Sequence, residues 1–334
     1  MKMFGKIVAA LVLLVIVAGI GGYIYLNTAY PYVPSALEIS IDSTPEKIER
    51  GRYLAHNVAV CMDCHSTRDW NAFAGPLVTG TEGKGGEVFP EEAGFPGTLY
   101  APNITPAGIG HWTDGELIRA FTTGVNREGR PLFPLMPYPN YAKLSTEDVH
   151  AIVAYIRSLA PIENKVPLTK LNFPLNLIVR TMPAPADPQP KPNPADTVAY
   201  GKYLITVASC GDCHTPMQKG EPLPGMNYAG GFEFRIPNGV LYSANITPDV
   251  ETGIGTWSKS KFINRFKQYA DSSYQSPVVS INEFNTIMPW TMYAGMSEED
   301  LGAIYAYLKT VSPVKNKVIG FQSDPNPSLF SVRE

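Results

Sequence analysis

Two short stretches carry residues able to do chemistry: Cys61-Met62-Asp63-Cys64-His65 and Cys210-Gly211-Asp212-Cys213-His214. Both have the C-x-x-C-H spacing of covalent c-type haem attachment. Thiols three residues apart lie on nearly one side of a helical turn, so each can form a thioether to one haem vinyl group. The histidine that follows then lies under the macrocycle and offers a ring nitrogen to the iron. These two stretches use all 4 cysteines of the 334-residue chain. A four-cysteine zinc ribbon has about 15–20 residues between its pairs, far fewer than separate these two. A disulfide needs no histidine beside it. The expected cofactors are therefore two covalently attached haem c groups, one on Cys61, Cys64 and His65 and one on Cys210, Cys213 and His214.

The residues that must position these stretches are themselves repeated. Gly51-Arg52-Tyr53-Leu54 precedes the first and Gly201-Lys202-Tyr203-Leu204 the second. Leu99 to Pro106 matches Leu241 to Pro248, with Asn-Ile-Thr-Pro in common, and Gly108-Ile109-Gly110-His111-Trp112 matches Gly253-Ile254-Gly255-Thr256-Trp257. Met136-Pro137-Tyr138 to Val166 aligns without a gap onto Met288-Pro289-Trp290 to Val318. This predicts two domains, 44–166 and 199–320, joined by a linker at 167–198.

Each repeat reads as mainly α. Thr44-Pro45-Glu46 is an N-cap, a proline at the first helical position and an acid in the first turn. Thr113 and Glu116 form a capping box, with Gly124 as the stop. Ser145 with Asp148, and Ser297 with Asp300, start the closing helix of each repeat. Those helices are expected to cross the opening helices at Gly51 and Gly201, where a missing side chain permits close approach. The linker is apolar at first and then proline-rich, so it reads as an extended strap.

Ahead of the repeats, Ile7 to Leu26 is uncharged and apolar. As a helix it spans about 30 Å, the thickness of a bilayer core. Lys2 and Lys6 on its N-terminal side place residues 1–6 in the cytoplasm and the body on the outer, periplasmic side. A cleaved signal peptide is the rival reading, although its apolar region is usually about 7–15 residues long. Residues 27–43 read as a tether and 321–334 as a tail without periodicity. Formal net charge is −3 and there is no basic stripe, so nucleic acid is not an expected partner.

The Asn-Ile-Thr-Pro, Gly-Ile-Gly-x-Trp, Met-Pro-Tyr and Ser-x-Glu-Asp series resembles the cytochrome c subunits of membrane-bound alcohol and gluconate dehydrogenases, over about residues 46–320. Many of those subunits carry three haems, whereas this chain has sites for two. The resemblance implies two tandem class I cytochrome c domains and no catalytic residues of the chain's own. It implies His65 and His214 as proximal ligands, Met136 and Met288 as distal ones, and one-electron transfer. Of the 10 methionines, only Met136 and Met288 recur in register, each followed by proline. The donor would be a membrane dehydrogenase or quinol-oxidising complex, the acceptor a terminal oxidase or soluble cytochrome. Two other readings are a di-haem subunit of a haem–copper oxygen reductase and a di-haem peroxidase. The latter needs an open iron position, which the repeated Met-Pro argues against. Asn103 and Asn245, with their threonines and Trp112 or Trp257, either bond haem propionates or fix the loop beside them, or are plain loop and core packing. His56, His111 and His150 have no counterpart in the second repeat and read as ordinary loop or surface residues.

Overall fold

The computed structural model describes residues 2–237, 239–271, 273–281 and 283–323. The described residues are mainly helical, with three small sheets. The chain divides into two compact units. The smaller holds Met1–Ser40, Thr113–Ala142 and Leu171–Asp187; the larger holds Ile41–Trp112, Lys143–Lys170 and Pro188–Glu334. Both C-x-x-C-H stretches lie in the larger unit. Of the expected tail, residues 324–334 lie outside the described residues.

In the smaller unit, one helix runs from Lys2 to Ala29. Its most apolar 18-residue stretch has a mean hydropathy of 2.7, and none of that stretch is buried. It is long and apolar enough to cross a membrane by length and composition. The helix Asp114–Thr123 opens with the expected capping box: the Glu116 N–H donates to Thr113 Oγ1 (3.2 Å), and the Thr113 N–H donates to Glu116 Oε2 (2.8 Å). Gly124 ends it at φ 77°, a left-handed conformation suited to a residue without Cβ. The Tyr138 ring covers the place a Cβ would take.

In the larger unit, the opening helix Pro45–Tyr53 and the closing helix Thr146–Ser158 form one crossed pair. Thr197–Val207 and Glu298–Leu308 form the second. The crossing points are the two expected glycines. A Cβ on Gly51 would lie 1.9 Å from the carbonyl oxygen of Ala151, and one on Gly201 would lie 1.9 Å from that of Ala303. Leu54, Val58, Met62, Leu144 and Ile152 are buried around the first pair; Leu204, Ile205, Met296, Leu301 and Leu308 are buried around the second. The closing helices are capped by Ser145 and Ser297, whose hydroxyls accept from the Asp148 and Asp300 N–H groups.

The two opening helices differ in one respect. From Gly51 to Cys61 is ten residues, from Gly201 to Cys210 nine. In register, Val58-Ala59 matches Val207-Ala208, which leaves Asn57 as the extra residue. The chain accommodates it by continuing the first opening helix as a π-helix over Leu54–Val58. One residue inserted into a helix, with its flanks kept in place, is what a π-bulge absorbs.

The Pro-rich stretch is held at intervals. In the smaller unit, Val179 is buried and the Asp187 N–H donates to the Ala142 carbonyl (3.0 Å). In the larger, Thr169 Oγ1 accepts from the Tyr100 N–H (3.1 Å) and Lys191 lies 3.7 Å from Asp148.

Candidate functional site

Each C-x-x-C-H stretch is a single helical turn, Cys61–Cys64 in the first repeat and Cys210–His214 in the second. The residue before each first cysteine has left-handed backbone: Val60 at φ 45°, ψ 40° and Ser209 at φ 54°, ψ 29°. For a β-branched residue this is an outlier, and such strain persists where the surroundings over-determine it. Its recurrence at both sites ties it to the turn that presents the cysteines.

All four cysteines are free thiols rather than disulfides. Burial pushes the Cys61 thiol up to about 12 and the Cys64 thiol higher still. Neither has the electropositive surroundings of a reactive thiolate. Among the described residues, no three His, Cys, Asp or Glu side chains gather as a metal cluster.

The histidines are oriented alike. His65 Nδ1 lies 2.8 Å from the Pro102 carbonyl oxygen, and His214 Nδ1 lies 2.7 Å from that of Ala244. A carbonyl only accepts, so Nδ1 carries the proton in both rings. Burial lowers both ring pKa values. Nε2 is left with its lone pair, which is the tautomer an iron ligand needs, fixed from behind by the hydrogen bond that orients the ring. Pro102 and Ala244 occupy matching positions of the repeated segment.

The repeated asparagines hold that segment. Asn103 Oδ1 accepts from the Thr105 N–H (2.9 Å) and hydroxyl (2.7 Å), while Asn103 Nδ2 donates to the Ile162 carbonyl (2.8 Å). Asn245 repeats the pattern with Thr247 (2.9 and 2.7 Å) and the Val314 carbonyl (2.8 Å). The threonines are buried. These bonds fix the loop: they pin the segment that carries the histidine-orienting carbonyl to the residues just beyond the closing helix.

Met288 belongs to the larger unit, as do six of the other seven expected site residues; Met136 belongs to the smaller. Each methionine meets the same local turn. The Tyr138 N–H donates to the Met136 carbonyl and the Trp290 N–H to the Met288 carbonyl, both at 2.7 Å across the intervening proline. A short helix follows each, Tyr138–Tyr141 and Trp290–Tyr293. Tyr138 Oη and Arg119 Nε, both in the smaller unit with Met136, are buried side-chain atoms without a hydrogen-bond partner. Orphaned polar atoms of this kind fit a site that also holds a group with acceptors of its own. With the histidine tautomer and the free thiols, the residues present fit a covalent haem.

Sequence reasoning missed the surroundings of the first stretch. Arg68 is buried and donates to Asp63 (2.8 Å), to the Gly75 carbonyl (2.8 Å) and to the Ala74 carbonyl (2.7 Å), with Trp70 against its guanidinium. It clamps the turn between the cysteines, and Met217 stands near its register in the second repeat, so repetition did not flag it. His56, read as an ordinary loop residue, lies in the π-helix half-buried, 2.6 Å from the Tyr155 hydroxyl. His111 is exposed, as expected.

These features are those of a c-type haem site, and residues 198–312 match the family model described as cytochrome c. The chain is 30% identical, over 87% of its length, to the cytochrome c subunit of alcohol dehydrogenase (quinone) from Gluconacetobacter polyoxogenes. It is 28% identical over 79% to the gluconate 2-dehydrogenase cytochrome c subunit of Pantoea cypripedii. A diheme cytochrome c-type protein of Cereibacter sphaeroides is 28% identical over 47% of the chain and 53% of its own length. The chain spans 62% and 59% of the length of the two dehydrogenase subunits.

Proposed function

We propose that the chain is a di-haem electron-transfer subunit made of two tandem class I cytochrome c domains, 44–166 and 199–320. It carries one haem on Cys61, Cys64 and His65 and one on Cys210, Cys213 and His214, with Met136 and Met288 as the distal ligands. The observation that carries this reading is the duplicated histidine geometry, Nδ1 at 2.8 and 2.7 Å from a carbonyl at matching positions. The haems supply reversible one-electron chemistry; the chain attaches them, fixes the ligand tautomer and shields the site. Thioether ligation opposite histidine raises the potential, which suits onward delivery of electrons to an oxidase or soluble cytochrome. The names of the relatives support a dehydrogenase as donor. The N-terminal helix would anchor the subunit, with the haem domains on the periplasmic side of the inner membrane.

Pyridine haemochrome assay should give two haems per chain, and replacing Cys61 and Cys64 with Ala should leave one. The oxidised protein should show the near-infrared sulfur-to-iron band. Met136→Ala and Met288→Ala should each remove about half of it and lower one of two potentials. Full band and both potentials in both variants would refute the methionine assignment.

A further inference from the structure

The closing helices are capped across the repeats. In an ordinary capping box the side chain at the third helical position reaches back to the backbone N–H of the cap residue. Here the cap residues are Ser145 and Ser297, and the third residues are Asp148 and Asp300. In each case the cap's own N–H is taken by a tyrosine from the other repeat. The Ser297 N–H donates to the Tyr53 hydroxyl (3.0 Å), and that hydroxyl donates to Asp300 Oδ2 (2.6 Å). The Ser145 N–H donates to the Tyr203 hydroxyl (3.2 Å), and that hydroxyl donates to Asp148 Oδ2 (2.7 Å). Tyr53 and Tyr203 are equivalent members of the Gly-x-Tyr-Leu segment, and Asp148 and Asp300 are equivalent members of the closing helices. The ties are therefore reciprocal, as in an isologous interface between two copies of one subunit. All of these residues lie within the larger unit.

Each tyrosine stands two residues beyond the glycine at its own helix crossing. The same opening helix leads, within ten residues of that glycine or fewer, to the first cysteine of a haem stretch. Each tie thus joins the haem-bearing element of one repeat to the closing helix of the other. Both aspartates are buried, so each hydroxyl bonds a carboxylate away from bulk water, the kind of charge-assisted bond that holds geometry most firmly. A second fastening supports them. The segment between Trp257 and Met288 has thirty residues where the first repeat, between Trp112 and Met136, has twenty-three. It lies along the 70–74 segment: the Phe73 N–H donates to the Pro277 carbonyl, the Val279 N–H to that of Asn71, both at 2.8 Å, and the Ala74 N–H to Asn285 Oδ1 at 2.9 Å.

We infer that Tyr53 and Tyr203 are positioning residues of the haem pair: by capping each other's repeat they hold the two haem-bearing turns at one fixed separation and orientation. The inference rests on the two-haem reading above. The test uses the full-length protein in detergent. Haem is counted by pyridine haemochrome, and the distance distribution between the two ferric haems is measured by pulsed dipolar electron paramagnetic resonance. Tyr53→Phe with Tyr203→Phe should broaden that distribution at least twofold, each single change by less, with the optical spectrum of each haem unchanged. Tyr305→Phe is the control: its hydroxyl also makes a 2.6 Å bond, to the Trp257 carbonyl, but within one repeat. It should leave the distribution as in the wild type. A count of one haem in the wild type would overturn the two-haem reading and this inference with it. Two haems and a wild-type distribution in the double variant would overturn this inference alone. If the double variant does not accumulate, the two single variants decide by the same criterion.

Discussion

A methyl group at Gly51 would fall 1.9 Å from a backbone oxygen, an approach no side-chain rotation relieves. Gly51→Ala should therefore cost about 3 kcal/mol or more by overpacking, as should Gly201→Ala, and thermal unfolding of each variant measures it. Asp148 sets a pH limit. Burial works to raise its carboxyl, but the bidentate bond from Arg50 (2.9 and 2.9 Å), the Tyr203 hydroxyl and Lys191 hold it below its ordinary value. A carboxyl lowered in the fold contributes stability that is complete above its unfolded value, about 4, and is lost as pH falls through the folded value. The melting temperature of the wild type should exceed that of Asp148→Asn at neutral pH, by the equivalent of about 2–3 kcal/mol. Below about pH 4 the gap should close. A gap constant down to pH 2 would show that this carboxylate carries no such linkage. The glycines were legible in the sequence because the need for a bare backbone recurs at matching positions. The partners of Asp148 were not, since Tyr203 is fifty-five residues away and reaches it only through the fold.

Among the elements, the caps were the most legible, because an N-cap is decided by three or four adjacent residues. Thr44, Thr113, Ser145 and Ser297 all cap the helices they were expected to open. The π-helix was not legible, because Leu-Ala-His-Asn-Val has no local signature; only counting against the second repeat reveals the surplus residue. That comparison makes a sharp expectation. Deleting Asn57 should turn Leu54–Val58 into regular α-helix with the nine-residue spacing of the second repeat. Cys61 would stay in place and haem content would be that of the wild type. Deleting Thr206, at the matching place in a helix with nothing surplus, should shift Cys210 against its surroundings and lose the second haem. Pyridine haemochrome separates the outcomes, and equal loss in both deletions would mean that the bulge is required for the first site. The Asn57 side chain also lies against Gly295, where a Cβ would come 2.0 Å from its Oδ1. Gly295→Ala should accordingly be tolerated better in the Asn57 deletion than in the parent.

For the molecule as a whole, the decisive element is the helix Lys2–Ala29, whose apolar residues from Met3 to Tyr25 are exposed. Roughly a dozen Leu, Ile and Val residues between Ile7 and Leu26, at about −0.3 to −0.6 kcal/mol each at the centre of a bilayer, favour insertion by on the order of 5 kcal/mol. In water the same surface would be an aggregation site. The two repeats make a different demand, for a packed core, which they meet without this helix: the two crossed helix pairs with their buried leucines, isoleucines and valines lie wholly in residues 41 onward. Removing residues 1–29 should therefore release a soluble protein that keeps both haems and both crossed pairs, provided an exchangeable secretion signal delivers it to the compartment where haem is attached. The intact chain should sediment with membranes and require detergent for extraction, and N-terminal sequencing of the extracted protein should start at Met1 or Lys2. A start near residue 22–30, with the body already soluble, would make the helix a cleaved signal rather than an anchor. Truncated protein that sediments while holding two haems would instead show that the haem-bearing repeats bind the membrane, or a membrane-bound dehydrogenase, through a surface of their own.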